Sequence, residues 1–324
     1  MRKYKRWKIA IMVLCTGVCI TLILGEVKPS TRQIDVNTSL IAFERSTYSD
    51  VSLSGIYAAS PDGKRICNIA GPGSGEPAWS PDGNQIAYKD QSIIPLHAVI
   101  IVRDLANGTQ RDIGSGSDAV WLPDNRHLAI PPYQTGSVRG QVILMTISTG
   151  ETMRLPIQAE LYEPVWSPGG TQIAFTGAAN ETSNISIINS DGTQNHVITH
   201  LATGERALHP SWSPDGKHLA FTWSPNAADY RNTRLYVINI DGTQQRLLSH
   251  PPSESEDVWS TWSPDSRFVA FERVTFMDEQ AIHGTSQIYS IALDGTQERL
   301  LSGSYQSQDR RPNWSPSDVA MKCL

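Results

Sequence analysis

PSWSPDGKHLAF, residues 210–221, reads as a short strand, a Pro-Asp-Gly turn and a second strand. Two strands alone do not hold together in water, so this hairpin must belong to something larger. It recurs as PAWSPDGNQIAY (77–88), AVWLPDNRHLAI (119–130), PVWSPGGTQIAF (164–175), STWSPDSRFVAF (260–271) and a clipped PNWSPSDVAM (312–321). Its tryptophans, Trp79, Trp121, Trp166, Trp212, Trp262 and Trp314, stand 42, 45, 46, 50 and 52 residues apart. Strand-rich units repeating every ~40–50 residues indicate a β-propeller or a related array.

A second motif alternates with the first: SPDGKRICNI (60–69), LANGTQRDIG (105–114), ISTGETMRLP (147–156), NSDGTQNHVI (189–198), NIDGTQQRLL (239–248) and ALDGTQERLL (292–301). Asp-Gly or Asn-Gly between strand-like runs marks a tight hairpin, because glycine accepts the positive φ that the turn needs. Each repeat therefore has four strands, A to D. Around Trp212 they are expected at 210–213, 218–222, 234–239 and 244–248. No stretch of the repeats carries a helical period of ten or more residues. The fold class is all-β, with four-stranded antiparallel blades.

The first Asp-Gly hairpin, at Gly63, has no tryptophan strand before it, and the last tryptophan strand, at Trp314, has no hairpin after it. The segment SLIAF (39–43) matches a B strand that also lacks its tryptophan strand. One arrangement accounts for all three facts. The N-terminal strands supply B, C and D of a blade, and the C-terminal strand supplies A. This predicts six blades and a ring closed within one sheet, with no exposed edge left to pair with other chains. The recurring tryptophans read as packing residues between neighbouring sheets, not as ligand platforms.

Paired with the recurring DGTQ–RLL, the WSPDG–IAF motif resembles the TolB-like, or PD40-type, β-propeller repeats over residues 39–316. The family resemblance implies a propeller that binds proteins in the periplasm. TolB-like proteins also carry an N-terminal α/β domain. Here fewer than 15 residues separate the apolar leader from the first strand, so only the propeller module is expected. Related propellers also precede the hydrolase domain of prolyl-oligopeptidase-like enzymes, and no such domain is expected after residue 316.

Residues 1–30 read as a signal anchor or a signal peptide, 31–38 as a linker and 317–324 as a tail. Arg2, Lys3, Lys5, Arg6 and Lys8 precede the apolar run Ile9 to Leu24. Basic residues stay on the cytoplasmic side, so the domain beyond the run is expected to be exported, periplasmic or extracellular. The run of 16 residues falls between a secretory core of ~7–15 and a spanning helix of ~20. Beyond residue 30 the chain holds 21 basic and 31 acidic residues, a net charge of −10. That excludes nucleic acid and anionic lipid as partners of the domain. The membrane is met through the N-terminal segment alone, and the propeller is read as a monomer. Of four cysteines, Cys15 and Cys19 lie in the apolar run and Cys67 and Cys323 beyond it, which does not support a disulfide framework.

The chain has no G-x-S-x-G elbow, no H-E-x-x-H and no paired-cysteine zinc spacing. The Gly-rich stretches 71–77 and 114–118 precede no helix, so they are not phosphate loops. No catalytic residue, metal or cofactor is expected. The enzymatic alternative is a metal-dependent polysaccharide lyase or hydrolase, since propeller lyases related to these repeats gather a metal on histidines. His97, His200, His209, His250 and His283 fall in or beside loops of one face.

Strand alternation puts the short A–B and C–D turns on one side and the long, varied B–C and D–A loops on the other. Variable loops on a rigid scaffold are where binding resides. The expected binding residues for a protein or peptide are Tyr48, Tyr133, Trp223, Tyr230, Arg231, Phe276, Tyr305 and Arg310, with Tyr162, Arg206 and Arg311 on the same face. Aromatics and arginine are the residue types enriched at interface hot spots.

Overall fold

The computed structural model describes residues 39–47, 50–92, 98–116, 118–131, 142–155, 157, 161–179, 182–226, 232–276, 284–302 and 307–316. The leader and the tail lie outside the described residues. So do Tyr48, Tyr133, Tyr230, Arg231, Tyr305, His97 and His283. Among the described residues no helix is long and apolar enough to cross a membrane.

The turn motifs form as their residues dictate. In Ser213-Pro-Asp-Gly216 the Gly216 amide donates to Ser213 O at 2.8 Å, and Gly216 takes φ 71°. Ser213 Oγ donates to Asp215 Oδ1 at 2.6 Å and accepts from His218 N at 2.9 Å, locking the hairpin from inside. The C–D turn does the same with Gly242 N to Asn239 O at 2.9 Å.

These hairpins assemble into four-stranded antiparallel sheets. The first contains β1 (Ile41–Thr47), β2 (Gly55–Ala59) and β3 (Ile66–Ala70). The second is β4 (Ser74–Trp79), β5 (Gln85–Asp90), β6 (Val99–Asp104) and β7 (Gln110–Ser115). The third is β8 (Val120–Trp121), β9 (His127–Ile130), β10 (Ile143–Thr146) and β11 (Thr152–Arg154). Next come β12 (Tyr162–Trp166), β13 (Gln172–Ala179), β14 (Thr182–Asn189) and β15 (His196–Val197), then β16 (Arg206–Trp212), β17 (His218–Ser224), β18 (Arg234–Asn239) and β19 (Arg246–Leu247). One parallel bridge, Ser183 to Arg206, joins these two sets into an eight-stranded sheet. The last sheet is β20 (Ser255–Trp262), β21 (Phe268–Phe276), β22 (Gly284–Ala292) and β23 (Arg299–Ser302). Finally β24 (Ser307–Trp314) pairs antiparallel with β1, with Ile41 opposite Trp314 and Thr47 opposite Ser307. The fold is an all-β propeller.

The apolar cores lie between sheets. Leu40 and Ile56 of the first sheet pack with Trp79 and Tyr88 of the second. Corresponding clusters surround Trp121, Trp166, Trp212, Trp262 and Trp314, and all six repeat tryptophans are buried. Four of the indoles also clasp the preceding unit, and that of Trp314 donates to Ser39 Oγ at 2.8 Å. Trp79 Nε1 donates to Asn313 O at 2.9 Å, Trp121 to Ala78 O at 3.0 Å, Trp212 to Val165 O and Trp262 to Ser211 O, both at 3.1 Å.

The structure corrects several sequence expectations. Strand A begins at Arg206 rather than 210, because a bulge between Leu208 and Ser211 lets pairing resume on its far side. Trp223, Phe276, Arg310 and Arg311 lie on strands, not in loops. Cys67 is disulfide-bonded, which the cysteine spacing did not announce; the other three cysteines lie outside the described residues.

Candidate binding site: a chain of contacts across the tryptophan strands

β4, β8, β12, β16, β20 and β24 each end their four-stranded set on the tryptophan side. Three residues before each tryptophan stands a residue with positive φ: Glu76 (55°), Asp118 (51°), Glu163 (51°), His209 (51°), Trp259 (52°) and Arg311 (50°). None is glycine. Such a conformation costs ~1–3 kcal/mol per residue and persists only where the surroundings impose it. At five of the six, Asp118 excepted, the imposing feature is a bulge. The register shifts between Gly75 and Ala78, Tyr162 and Val165, Leu208 and Ser211, Val258 and Thr261, and opposite Ala42 and Glu44 in β1. Bulges re-aim side chains and are enriched at functional sites.

The re-aimed side chains meet one another. His209 Nε2 lies 2.9 Å from Glu163 Oε1, and Glu163 Oε2 accepts from His209 N at 2.7 Å. The imidazole stacks on Trp259 with ring centroids 3.7 Å apart. The Arg311 guanidinium sits 4.5 Å from the Trp259 ring centroid. Its Nη1 pairs with Asp118 and lies 3.2 Å from Glu76 Oε1. Asp118 N donates to Glu76 Oε2 at 2.7 Å. One chain of contacts therefore links all six positions.

A second tier lies thirteen residues further along, on the neighbouring strand. Lys89 pairs with Glu76, and Thr176 Oγ1 donates to Glu163 at 3.0 Å. The corresponding Glu272, buried, accepts from Arg311 N at 3.0 Å and from Ser286 Oγ at 2.5 Å. Thr222 occupies the same place beside His209. Its Oγ1 and His209 Nδ1 are buried without a hydrogen-bond partner among the described residues.

Burial would push the Glu163 carboxyl up. The His209 imidazole and the bonds from His209 N and Thr176 prevail and hold it below the usual range. Burial would lower Arg311, yet Asp118 and Glu76 raise it. For Glu272 burial wins and its carboxyl is raised. The side chains of Asp118 (50% exposed), Glu163 (33%) and Arg311 (31%) remain open to a ligand, whereas Glu76 (8%) is a support.

Of the loop residues expected to bind a partner, Trp223, Phe276 and Arg310 lie on strands, and Tyr48, Tyr133, Tyr230, Arg231 and Tyr305 lie outside the described residues. Trp223 packs on Tyr236 with centroids 5.5 Å apart. Phe276 is half-buried at the end of β21, opposite Gly284. Arg310 is exposed and opposes Glu44. Tyr162 and Arg206 begin β12 and β16. Of the histidines, His209 joins the ring, while His200 and His250 are exposed between strands. Among the described residues no group of three or more His, Cys, Asp or Glu could hold a metal ion. Sequence reasoning missed Glu76, Asp118, Glu163 and Trp259, and it placed His209 and Arg311 in or beside loops. The available signal was positional: the residue three before the tryptophan is never aliphatic and changes from repeat to repeat.

Comparison with known proteins bears on the fold. The family profile of the TolB beta propeller domain matches residues 158–323. TolB from Acinetobacter baumannii superposes with a TM-score of 0.71 at 19% identity, covering 87% of this chain and 68% of that one. A chain of a nidogen/laminin complex gives a TM-score of 0.59 at 11% identity, with coverages of 86% and 98%. Oligogalacturonate lyase from Vibrio parahaemolyticus gives 0.51 at 15% identity, with coverages of 85% and 83%. At such identities the likeness is one of fold. No curated protein matches the chain in sequence.

Proposed function

Since the chain belongs to the TolB β-propeller family, we propose that it is a non-catalytic binding protein, exported and tethered by its N-terminal segment, which holds a protein or peptide partner over the ring of Glu76, Asp118, Glu163, His209, Trp259 and Arg311. We read the four-stranded sets as six blades closed into a circle by the β1–β24 pair. That reading is supported by the Trp79 indole bond to Asn313 and by the cluster joining Ile288 and Leu301 to Ile41 and Phe43. Export is supported by the five basic residues ahead of the apolar run.

The observation that carries the binding reading is the ring itself. Six strained positions carry side chains of four chemical kinds joined by one chain of contacts, with the exposed Asp118 and the half-buried Glu163 and Arg311 among them. A scaffold needing only stability would place glycine there. The likeness of fold to a chain of the nidogen/laminin complex supports a protein as the ligand.

The test is affinity capture with the full-length, detergent-solubilised chain. The partner should be recovered by the wild type and lost at least tenfold with Arg311→Glu, while both unfold at similar denaturant concentrations. Equal recovery by the two would refute the assignment of the ring.

A second reading, a metal-dependent lyase or hydrolase, is favoured by the fold likeness to oligogalacturonate lyase and by the His209–Glu163 pair. Stoichiometric metal in the purified chain, lost in His209→Ala, would support it. A metal content well below one per chain would remove it.

A further inference from the structure

His209 is the one ring member whose ordinary pKa lies near neutrality. The groups that face it come from every element packed against it. Glu163 of β12 meets its Nε2 at 2.9 Å, and Trp259 of β20 covers its ring at 3.7 Å. Behind the indole stands Arg311 of β24, anchored by Asp118 ahead of β8, Glu76 of β4 and, through its amide, Glu272 of β21. Thr176 of β13 holds Glu163, and Thr222 of β17 offers its buried, unpartnered hydroxyl on the level of His209.

The His209 ring pairs with a carboxylate through Nε2 and lies on an aromatic face. Losing the proton leaves Glu163 without its counter-charge. Lys89 and Arg311 stand against Glu76, Asp118 and Glu163, with Glu44 of β1 also acting on Arg311 and Arg310 on Glu272, so loss of the His209 proton makes the ring more negative by one charge.

We propose that His209 is a proton latch for this ring. Charged, it closes the chain Glu163–His209–Trp259–Arg311–Asp118. Neutral, it releases Glu163 and the outer face of Trp259 to the partner. The proposal rests on the binding function assigned above, as regulation of that same site.

A partner-free measurement keeps the two separable. Intrinsic tryptophan fluorescence of the full-length chain is titrated between pH 5 and 8. An imidazolium stacked on indole quenches its emission, so a one-proton rise is expected as pH increases. The rise should vanish in both His209→Gln and Trp259→Phe. His218 also stacks near a tryptophan, Trp262, at 6.1 Å, so the transition must survive in His218→Gln. Persistence of the transition in His209→Gln, or its absence from the folded wild type, would overturn the latch. Neither outcome depends on whether a partner has been captured.

Discussion

The side of the Ser-Pro-Asp-Gly turns and the side of the ring are built from the same strands by opposite rules. On the turn side one solution is copied: Ser60, Ser80, Ser213 and Ser263 each donate to the aspartate two residues on at 2.6 Å. At the other end of the same strands, three residues before the tryptophan, the backbone conformation is copied but the side chain never settles on one type. Uniform chemistry marks what must be identical for sheets to stack. Variable chemistry on an identical backbone marks what faces outward to something else. The strained φ values there are retained although any residue could be traded for glycine at lower conformational cost.

That contrast breaks if changes on the two sides have similar consequences. The largest expected loss of stability comes from Trp212→Ala, about 3–5 kcal/mol in urea unfolding, because it empties an inter-sheet core and removes the clasp on Val165. Asp257→Asn should cost about 3 kcal/mol by the same measurement. Arg273, which Asp257 binds in a buried bidentate pair, would keep only Glu298. Ser213→Ala should cost about 1 kcal/mol, the worth of one turn lock. The smallest stability effect belongs to the ring. Glu163→Gln should cost at most about 1 kcal/mol at neutral pH. Its carboxyl is held below its ordinary value in the folded state, so its contribution is present above the ordinary carboxylate range and fades as pH falls through the lowered value. Thermal unfolding of wild type and Glu163→Gln should therefore converge in acid. If they diverge there instead, the ring is scaffold after all.

The sequence announced the strands because two motifs recur in phase, each written in residues with one conformational job. Pro presets a turn, Gly accepts positive φ, and Trp fills a core. It announced the pairing of the segment around Phe43 with that around Trp314 because each repeat fragment lacked what the other held. The ring was hidden for a physical reason. A bulge with positive φ is ordinarily read from glycine or asparagine, and here the surrounding sheet forces it on Glu, His, Trp and Arg. Trp223 and Phe276 read as loop residues and stand at half-buried strand ends. Trp223 opposes Ala207 within a sheet and spends its face on Tyr236. Cys67 gave no warning, since Cys67 and Cys323, the two cysteines beyond the apolar run, form no framework spacing to read.

The indole clasps reach for main-chain oxygens, those of Asn313, Ala78, Val165 and Ser211, and ignore the side chains that those residues bear. A joint of that kind is a standard fitting. A gene segment encoding one unit could be copied or exchanged with this joint kept intact, and each newcomer would bring its own residue three places before its tryptophan. Diversification of what such proteins hold then needs only a single codon per module.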